Sequence, residues 1–319
     1  MLKDLTYKVI VIDDEEDHYE DYIEFIEKKL STEGYRLVHE RFEMLSDLDS
    51  HSLNDVDLFL VDLKFGKEDK GPEFIEKIRE NHLTDILFYS SDDRAIHENM
   101  QSGKFQGVFF AIRDENKTEI TDMIDKLITK MIKRSNTPLA SRGIVLGCVA
   151  ELDNIIKEKI ESLLLKISPD QGKMLMDRCT KLYFDSYKGQ SKNIKDFMGC
   201  EFHKGMLEWN DIKNSYKSYG ISDLVGNIKI TDSNKNFRVL LKIYEVINGK
   251  DDLYQAISAF SELLDDRNIL AHVQEELDEN GLYQFKRFNK EEYLVLSDDK
   301  CRALRLCIIN YYKQIASLI

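Results

Sequence analysis

The 319-residue sequence has few of the residues that interrupt helices or cross-link small extracellular domains. It contains three prolines, and its five cysteines form no CxxC pair and no metal-type spacing with histidine. Reduced thiols are therefore expected, and a disulfide framework or a zinc site is not. The longest apolar run, 144–150, is interrupted by Gly147 and is too short to span a bilayer, so no membrane partner is expected.

The sequence also has neither a secretory leader nor an excess of basic residues. No charged segment followed by an apolar stretch opens the chain, which predicts a cytoplasmic protein. Of the net charge of −14, most lies in residues 1–135, which carry 19 Lys and Arg against 32 Asp and Glu. Residues 136–319 carry 26 against 27. The first part disfavours nucleic acid, and the second is neutral enough to approach RNA but has no basic stripe with interleaved aromatic residues.

Two apolar runs that end on carboxylates are the most informative pattern in the chain. Residues 8–14 read KVIVIDD, and residues 56–62 read VDLFLVD. Such runs are typical of buried strands in a parallel sheet, whose ligands bind outside the carboxyl ends of the strands. We therefore expect Asp13, Asp14 and Asp62 to lie together, where three mutually repelling carboxylates would need a cation such as Mg²⁺.

Strands and helices are predicted to alternate through residues 1–134. The predicted elements after the first acidic pair are helices at 17–30, 73–80 and 118–132 and strands at 86–89 and 108–112. This alternation predicts βαβ units and a doubly wound α/β sheet. The domain boundary is placed near 133–138, where Lys and Arg suit a helix end and Ser-Asn-Thr-Pro does not continue it.

Residues 5–133 resemble the receiver domain of two-component response regulators in the order and spacing of these elements. The resemblance implies a flavodoxin-like fold in which Asp13 and Asp14 hold Mg²⁺ and Asp62 accepts a phosphoryl group as a nucleophile. It further implies that Ser90 is the switch hydroxyl, with Ser91 as the alternative. A sensor histidine kinase or a phosphotransfer protein would then supply the phosphoryl group.

The chain departs from the receiver pattern at the last strand. The family places a lysine there, usually before proline, whereas this sequence reads GVFFAIRDEN and offers Arg113 as the nearest cation. Arginine and lysine are not interchangeable, because a planar guanidinium and a compact ammonium group bind anions differently. The alternative is therefore a degenerate receiver that takes no phosphoryl group and only docks partners.

Residues 135–319 are predicted to form a mostly α-helical domain, because so few prolines favour long helices. Apolar stripes mark amphipathic helices beginning near 144, 253 and 304. The stripe at positions 253, 257, 260 and 264 advances to Arg267 and Ala271, with His272 beside them. Since a cation on an apolar face costs free energy unless it is paired or used, Arg267 indicates a functional site or a subunit interface.

The segment RNILAH, 267–272, resembles the R-x4–6-H motif of ribonucleases in the HEPN superfamily of all-α domains. Asn268 fills the polar position that often follows the arginine, and the segment SRGIVLGCVAELDNII is similar to the opening helix of some members. The resemblance covers about residues 139–319. It implies a homodimer in which two facing helices form one RNA-cleaving cleft without a metal cofactor.

The residue types suit that chemistry, because RNA supplies its own nucleophile, the 2′-hydroxyl group. His272 could move the proton, since its pKa ordinarily lies near neutrality. Arg267 could stabilise the charge of the transition state, giving a 2′,3′-cyclic phosphate and a 5′-hydroxyl. The acidic residues that could orient this pair are Glu262, Asp266, Glu151 and Asp153. The alternative is a structural Arg–His pair in a binding protein, whose receiver controls a helical dimerisation module.

Overall fold

The computed structural model describes residues 2–43, 48, 53, 55–63, 78, 84–102, 106–114, 118–198, 220–227, 229–288 and 291–318. The chain divides into two compact units. The sheet unit comprises Leu2–Ser141 and Leu296–Leu306, and the helical unit comprises Arg142–Val295 and Cys307–Ile319. The predicted boundary at residues 134 and 135 stays a prediction. The predicted helix at 73–80 lies outside the described residues, apart from Ile78.

The sheet unit is built on five strands that pair in parallel. The strands are β1 (Thr6–Ile12), β2 (Arg36–Phe42), β3 (Leu58–Asp62), β4 (Asp85–Ser90) and β5 (Val108–Ile112). Their spatial order is β2-β1-β3-β4-β5, one of the two common orders of doubly wound sheets. The predicted α/β fold with a parallel sheet is therefore confirmed.

Helices cover both faces of this sheet, which is why its central strands are almost continuously apolar. The helices are α1 (Glu16–Thr32), α2 (Asp93–Ser102) and α3 (Thr118–Ser135). Phe59 and Phe88 point into a core that they share with Ile96 of α2. Tyr89 points to the opposite face, where its ring lies edge-on to Tyr22 of α1 with the ring centroids 5.4 Å apart.

The helical unit is mostly α-helical, as predicted, but it also contains a small sheet that the sequence did not indicate. Its helices are α4 (Pro138–Leu164), α5 (Pro169–Met198), α6 (Ile221–Gly226), α7 (Ser233–Asn248), α8 (Asp252–Ser258) and α9 (Phe260–His272). The sheet joins β6 (Glu276–Leu277), β7 (Tyr283–Lys286) and β8 (Tyr293–Leu296). Among the described residues, no helix is both long enough and apolar enough to cross a bilayer.

The first half of the last helix, α10 (Asp298–Ala316), belongs to the sheet unit. Its Arg305 is buried, and the guanidinium donates hydrogen bonds to the Glu33 carbonyl oxygen and to Asn136 Oδ1, both at 2.7 Å. The same group lies 4.8 Å from the centre of the Tyr35 ring. Because these contacts are to residues of the sheet unit, Arg305 fixes the helix against the turn that precedes β2 and against the segment that follows α3.

We expect Gly34→Ala to destabilise the protein more than backbone strain alone would. Gly34 has a φ of +76°, and a Cβ atom there would lie 2.6 Å from the Cβ atom of Arg305. The left-handed conformation costs an alanine about 1–2 kcal/mol, and crowding against a packed helix adds about 1–3 kcal/mol. Gly281 is the matched control, because its φ is also +76° but no atom lies within 4 Å of the added Cβ.

The measurement is the thermal unfolding midpoint of both glycine variants. It should fall further for Gly34→Ala than for Gly281→Ala. Equal decreases would show that the close approach of α10 contributes nothing to stability.

Candidate functional site

The carboxyl ends of four strands bring four of the predicted site residues together at one edge of the sheet. Asp13 follows β1, Asp62 ends β3, Ser90 ends β4 and Arg113 follows β5. The backbone holds this edge in register, because the Arg113 amide donates to the Ser90 carbonyl oxygen at 2.8 Å. The relative exposure of Asp13 is 0%, that of Asp62 is 3% and that of Ser90 is 1%.

The guanidinium group of Arg113 stands between the two buried carboxylates. Its Nη1 atom lies 3.2 Å from Asp62 Oδ2 and 3.8 Å from Asp13 Oδ2. This cation offsets the repulsion that two buried carboxylates would otherwise exert on one another. The Nη1 atom is itself buried and has no hydrogen-bond partner among the residues that the structure describes. A further acceptor placed beside Asp62 could therefore take its hydrogen atoms.

Asp13 is held in a fixed orientation by its neighbours. Its Oδ1 atom accepts a hydrogen bond from the Glu15 amide at 2.8 Å, and its Oδ2 atom accepts one from the Tyr89 hydroxyl at 2.6 Å. Burial raises the pKa of Tyr89 well above its ordinary value, and the negative charge of Asp13 raises it further. Tyr89 therefore stays protonated and remains a donor to Asp13.

The predicted magnesium ligands do not all converge. Asp14 is exposed, whereas Asp13 and Asp62 point into the site. The described residues include no group of three or more Asp, Glu, His or Cys side chains that could hold a metal ion. Carboxylates are suitable ligands for Mg²⁺, but Glu15, Tyr89 and Arg113 already occupy oxygen atoms of both. As arranged, the residues do not fit a three-carboxylate metal site, and Arg113 supplies the positive charge.

Ser90, rather than Ser91, is the buried hydroxyl residue at this edge of the sheet. The Ser90 side chain is buried, and its Oγ atom accepts a hydrogen bond from the Asp92 amide at 3.2 Å, whereas Ser91 is exposed. Because that bond uses a lone pair of the oxygen, the hydroxyl hydrogen of Ser90 is still available to an acceptor. A phosphoryl oxygen beside Asp62 would be such an acceptor.

The predicted ribonuclease residues Arg267, Asn268 and His272 all lie on α9, but Arg267 and His272 do not form a pair. Arg267 is half-buried, and its Nη1 atom donates to Asn268 Oδ1 at 2.9 Å. The Nε atom of Arg267 is buried and has no hydrogen-bond partner within the described part of the chain. His272, the last residue of the helix, is exposed. Five residues of a regular helix turn through about 500°, so the two side chains leave the helix about 140° apart.

The turn after His272 is held by a cation that sequence reasoning did not assign. Arg142 of α4 donates from Nη2 to the Val273 carbonyl oxygen at 2.6 Å and pairs with Glu275 Oε2 at 2.7 Å. Its guanidinium also lies 4.9 Å from the centre of the Phe285 ring. Arg142 thus fixes the backbone that follows His272. The only signal in the sequence was its place in the SRG segment.

Two of the four acidic candidates are engaged with other residues. Asp266 is buried and pairs with Arg287 at 2.7 Å. Asp153 accepts a hydrogen bond from Asn236 at 3.0 Å and lies 3.3 Å from Lys157.

No model of a known protein family and no curated protein matches this chain. The fold and the sites therefore define its class by themselves. It is a two-unit protein, with a parallel α/β sheet whose carboxyl edge carries a buried Asp–Arg–Asp cluster and a mostly helical unit with an Arg–His helix.

Proposed function

We propose that this protein is a response-regulator-type ribonuclease. In this proposal the sheet unit is a receiver that accepts a phosphoryl group on Asp62, and the helical unit is an RNA-cleaving effector of the HEPN type. The observation that carries the proposal is the buried cluster in which Asp62, Ser90 and Arg113 share one edge of a parallel sheet. A sensor histidine kinase or a phosphotransfer protein would be the phosphoryl donor.

The acidic cluster suits phosphoryl transfer to a carboxylate. An oxygen of Asp62 would attack the phosphorus of a phosphohistidine, and the phosphorus–nitrogen bond would break as the imidazole leaves and takes a proton. The phosphoryl group would bring about two negative charges and three acceptor oxygens into the site. The Nη1 atom of Arg113 and the hydroxyl of Ser90 are donors suited to those oxygens. Arg113 would then exchange part of its contact with Asp13 for the new group.

The helical unit offers the two groups that RNA cleavage needs, but on different sides of α9. The 2′-oxygen would attack the adjacent phosphorus, the bond to the 5′-oxygen would break, and His272 would move the proton. Arg267, whose Nε atom has no acceptor among the described residues, would stabilise the added charge. Because the side chains diverge by about 140°, we propose that each cleft takes Arg267 from one copy and His272 from its partner in a homodimer.

The proposal is tested directly by incubating the purified protein with single-stranded RNA. Cleavage is expected to leave 2′,3′-cyclic phosphate and 5′-hydroxyl ends, with and without EDTA, and to change in rate when a small acyl phosphate is added. If the RNA stays intact in all four combinations, with and without EDTA and with and without the acyl phosphate, the binding protein described next is the better candidate.

The second candidate is a binding protein, in which a degenerate receiver controls a helical docking module. One observation that favours it is Arg113, which already neutralises Asp62 without a phosphoryl group or a metal. The other is a group of exposed large apolar side chains on or beside the small sheet, which is typical of an interaction surface. They are Leu277, Leu282, Tyr283, Phe288 and Tyr293.

We expect the full chain to sediment as a dimer at micromolar concentration, since a composite cleft requires a two-fold contact through α9. Phe288→Asp is an informative variant, because it places a charge on the apolar surface beside the small sheet and not on α9. The dimer should survive this change if α9 forms the contact. If Phe288→Asp dissociates the dimer, the contact lies at the small sheet. If the wild type is a monomer, a cleft built from two copies is excluded.

A further inference from the structure

A pocket of about 400 Å³ lies in the helical unit, away from the residues assigned above. One wall comes from α5, including Thr180, Tyr183 and Tyr187. The other comes from the segment that leads into α7, including Lys229, and from the first turn of α7, including Lys235. Its volume lies within the range of about 300–1,000 Å³ that is usual for small-molecule sites. The described side chains that line it are aromatic, hydroxyl-bearing, aliphatic or cationic, and none is a carboxylate.

The pocket contains a buried hydroxyl group that none of the described residues satisfies. Thr180 is 5% exposed, and its Oγ1 atom is buried without a hydrogen-bond partner in the part of the chain that the structure describes. Burying a hydroxyl in this way costs free energy, so such a group in a folded protein calls for an explanation. Because Thr180 lines the cavity, a polar atom of a bound molecule would supply the missing partner.

The pocket wall beside Thr180 is a preformed polar network. The Thr231 hydroxyl donates to Asn236 Oδ1 at 2.7 Å, and Asn236 is completely buried. Tyr183 lies 3.1 Å from the Thr231 oxygen, so the phenol is the donor of that pair. Burial raises the pKa of Tyr183, which keeps the phenol protonated at neutral pH. Side-chain hydrogen bonds therefore hold this wall of the pocket in place.

The mouth of the pocket combines positive charge with flat apolar surface. Lys235 pairs with Asp232 at 2.7 Å and lies 6.0 Å from the centre of the Tyr183 ring. Lys229 is exposed and has no ion-pair partner among the residues that the structure describes. Tyr187 is 44% exposed and Ile230 is 42% exposed, so both offer apolar surface to an entering ring. This lining suits an anion that carries an aromatic group.

We propose that this pocket binds a nucleoside monophosphate unit. Nucleotide bases are recognised by stacking on aromatic side chains, and lysine ammonium groups pair with phosphate. The base would lie among the aromatic side chains of α5, with a polar atom hydrogen-bonded to Thr180, and the phosphate would pair with Lys229. The unit is either a free mononucleotide or one residue of an RNA strand. The assignment does not depend on the ribonuclease activity proposed above.

Calorimetric titration of the full chain with AMP, GMP, CMP and UMP tests the proposal. At least one nucleotide should bind with a micromolar Kd, and its nucleoside and inorganic phosphate should each bind at least ten-fold more weakly. Lys229→Gln should weaken binding about ten-fold. Lys173→Gln, an exposed change on α5 outside the pocket, should leave the affinity unchanged.

Thr180→Val separates a ligand-binding role from a structural one. The hydroxyl makes no hydrogen bond to the described residues, so its removal should leave the thermal midpoint unchanged or raise it, while nucleotide affinity falls about ten-fold. Failure of all four nucleotides to bind would overturn the proposal. Binding that is insensitive to both Thr180→Val and Lys229→Gln would overturn it as well.

The source of the nucleotide is distinguished by competition. A ten-residue single-stranded RNA should displace the bound mononucleotide if the pocket holds part of an RNA strand. If the RNA does not compete while the mononucleotide still depends on Thr180 and Lys229, the ligand is a free nucleotide. Both results support the site, and neither requires that the protein cleave RNA.

Discussion

His272→Ala is expected to lower the rate of RNA cleavage by about 10²–10⁴-fold, the usual contribution of a positioned proton-transfer group. The fold should be unaffected, because His272 is the exposed last residue of α9 and the next residue is held by Arg142. His97→Ala is the matched control, since His97 is also exposed but pairs with Asp93 in the sheet unit. Cleavage that survives the loss of His272 would place the active site elsewhere.

Arg267→Ala should have a comparable effect, about 10²–10³-fold, because it removes one donor to the charged transition state.

Mixing the two variant chains tests whether each cleft takes residues from both copies. Co-purified heterodimers of Arg267→Ala and His272→Ala chains contain one intact Arg–His combination if each cleft draws on both copies. A statistical mixture should then recover about a quarter of the wild-type activity. A mixture that stays inactive would show that each chain uses its own pair.

The sheet could be predicted from the sequence where burial is continuous. β3 reads LFLVD and is buried at every position, and β1 and β4 are nearly so, which is what a strand covered on both faces looks like. β2 was missed, because RLVHERF carries three charged residues and only its last residue is buried. An edge strand can carry these side chains, since one of its sides has no neighbouring strand.

The acidic site was predicted in part, for a reason that lies in strand geometry. Asp62 and Asp13 were expected together, and they share a cation in the structure. Asp14 was expected with them, but neighbouring side chains along an extended segment point in opposite directions. Because the side chain of Asp13 points into the site, the side chain of Asp14 points outward and is exposed. That Arg113 would stand between the carboxylates could not be predicted, because it depends on side-chain packing across three strands.

The helical unit shows what periodicity alone cannot resolve. The stripe from 253 to 264 predicts one helix, whereas the chain has two, α8 and α9, separated at Ala259. Arg267 nevertheless lies beside the buried side chains of α9, as its place on the stripe predicted. The pocket beside Thr180 has no local signature, because its walls are about fifty residues apart in the chain. Such a site depends on tertiary packing, which a sequence pattern does not report.

Phosphorylation of Asp62 is the prediction that decides whether the sheet unit is a working receiver. Incubation with a small acyl phosphate should add one phosphoryl group to the wild type, measured by intact mass, in buffers with Mg²⁺ and with EDTA. Asp62→Asn should abolish the addition, because the amide replaces the attacking oxygen. Asp55→Asn, an exposed change just before β3, is the control and should leave it intact.

Variants at Arg113 distinguish a receiver that accepts a phosphoryl group from a degenerate receiver that does not. Arg113→Gln should slow phosphorylation by more than about ten-fold, because it removes the cation that offsets the repulsion between Asp13, Asp62 and the incoming phosphoryl group. Arg113→Lys should retain the reaction, since an ammonium keeps the charge.

Asp62→Asn should also change the rate of RNA cleavage without abolishing it, because Asp62 belongs to the input site and not to α9. If the wild type stays unmodified in both buffers, the sheet unit is a degenerate receiver. The binding protein is then the better hypothesis for the function of the chain.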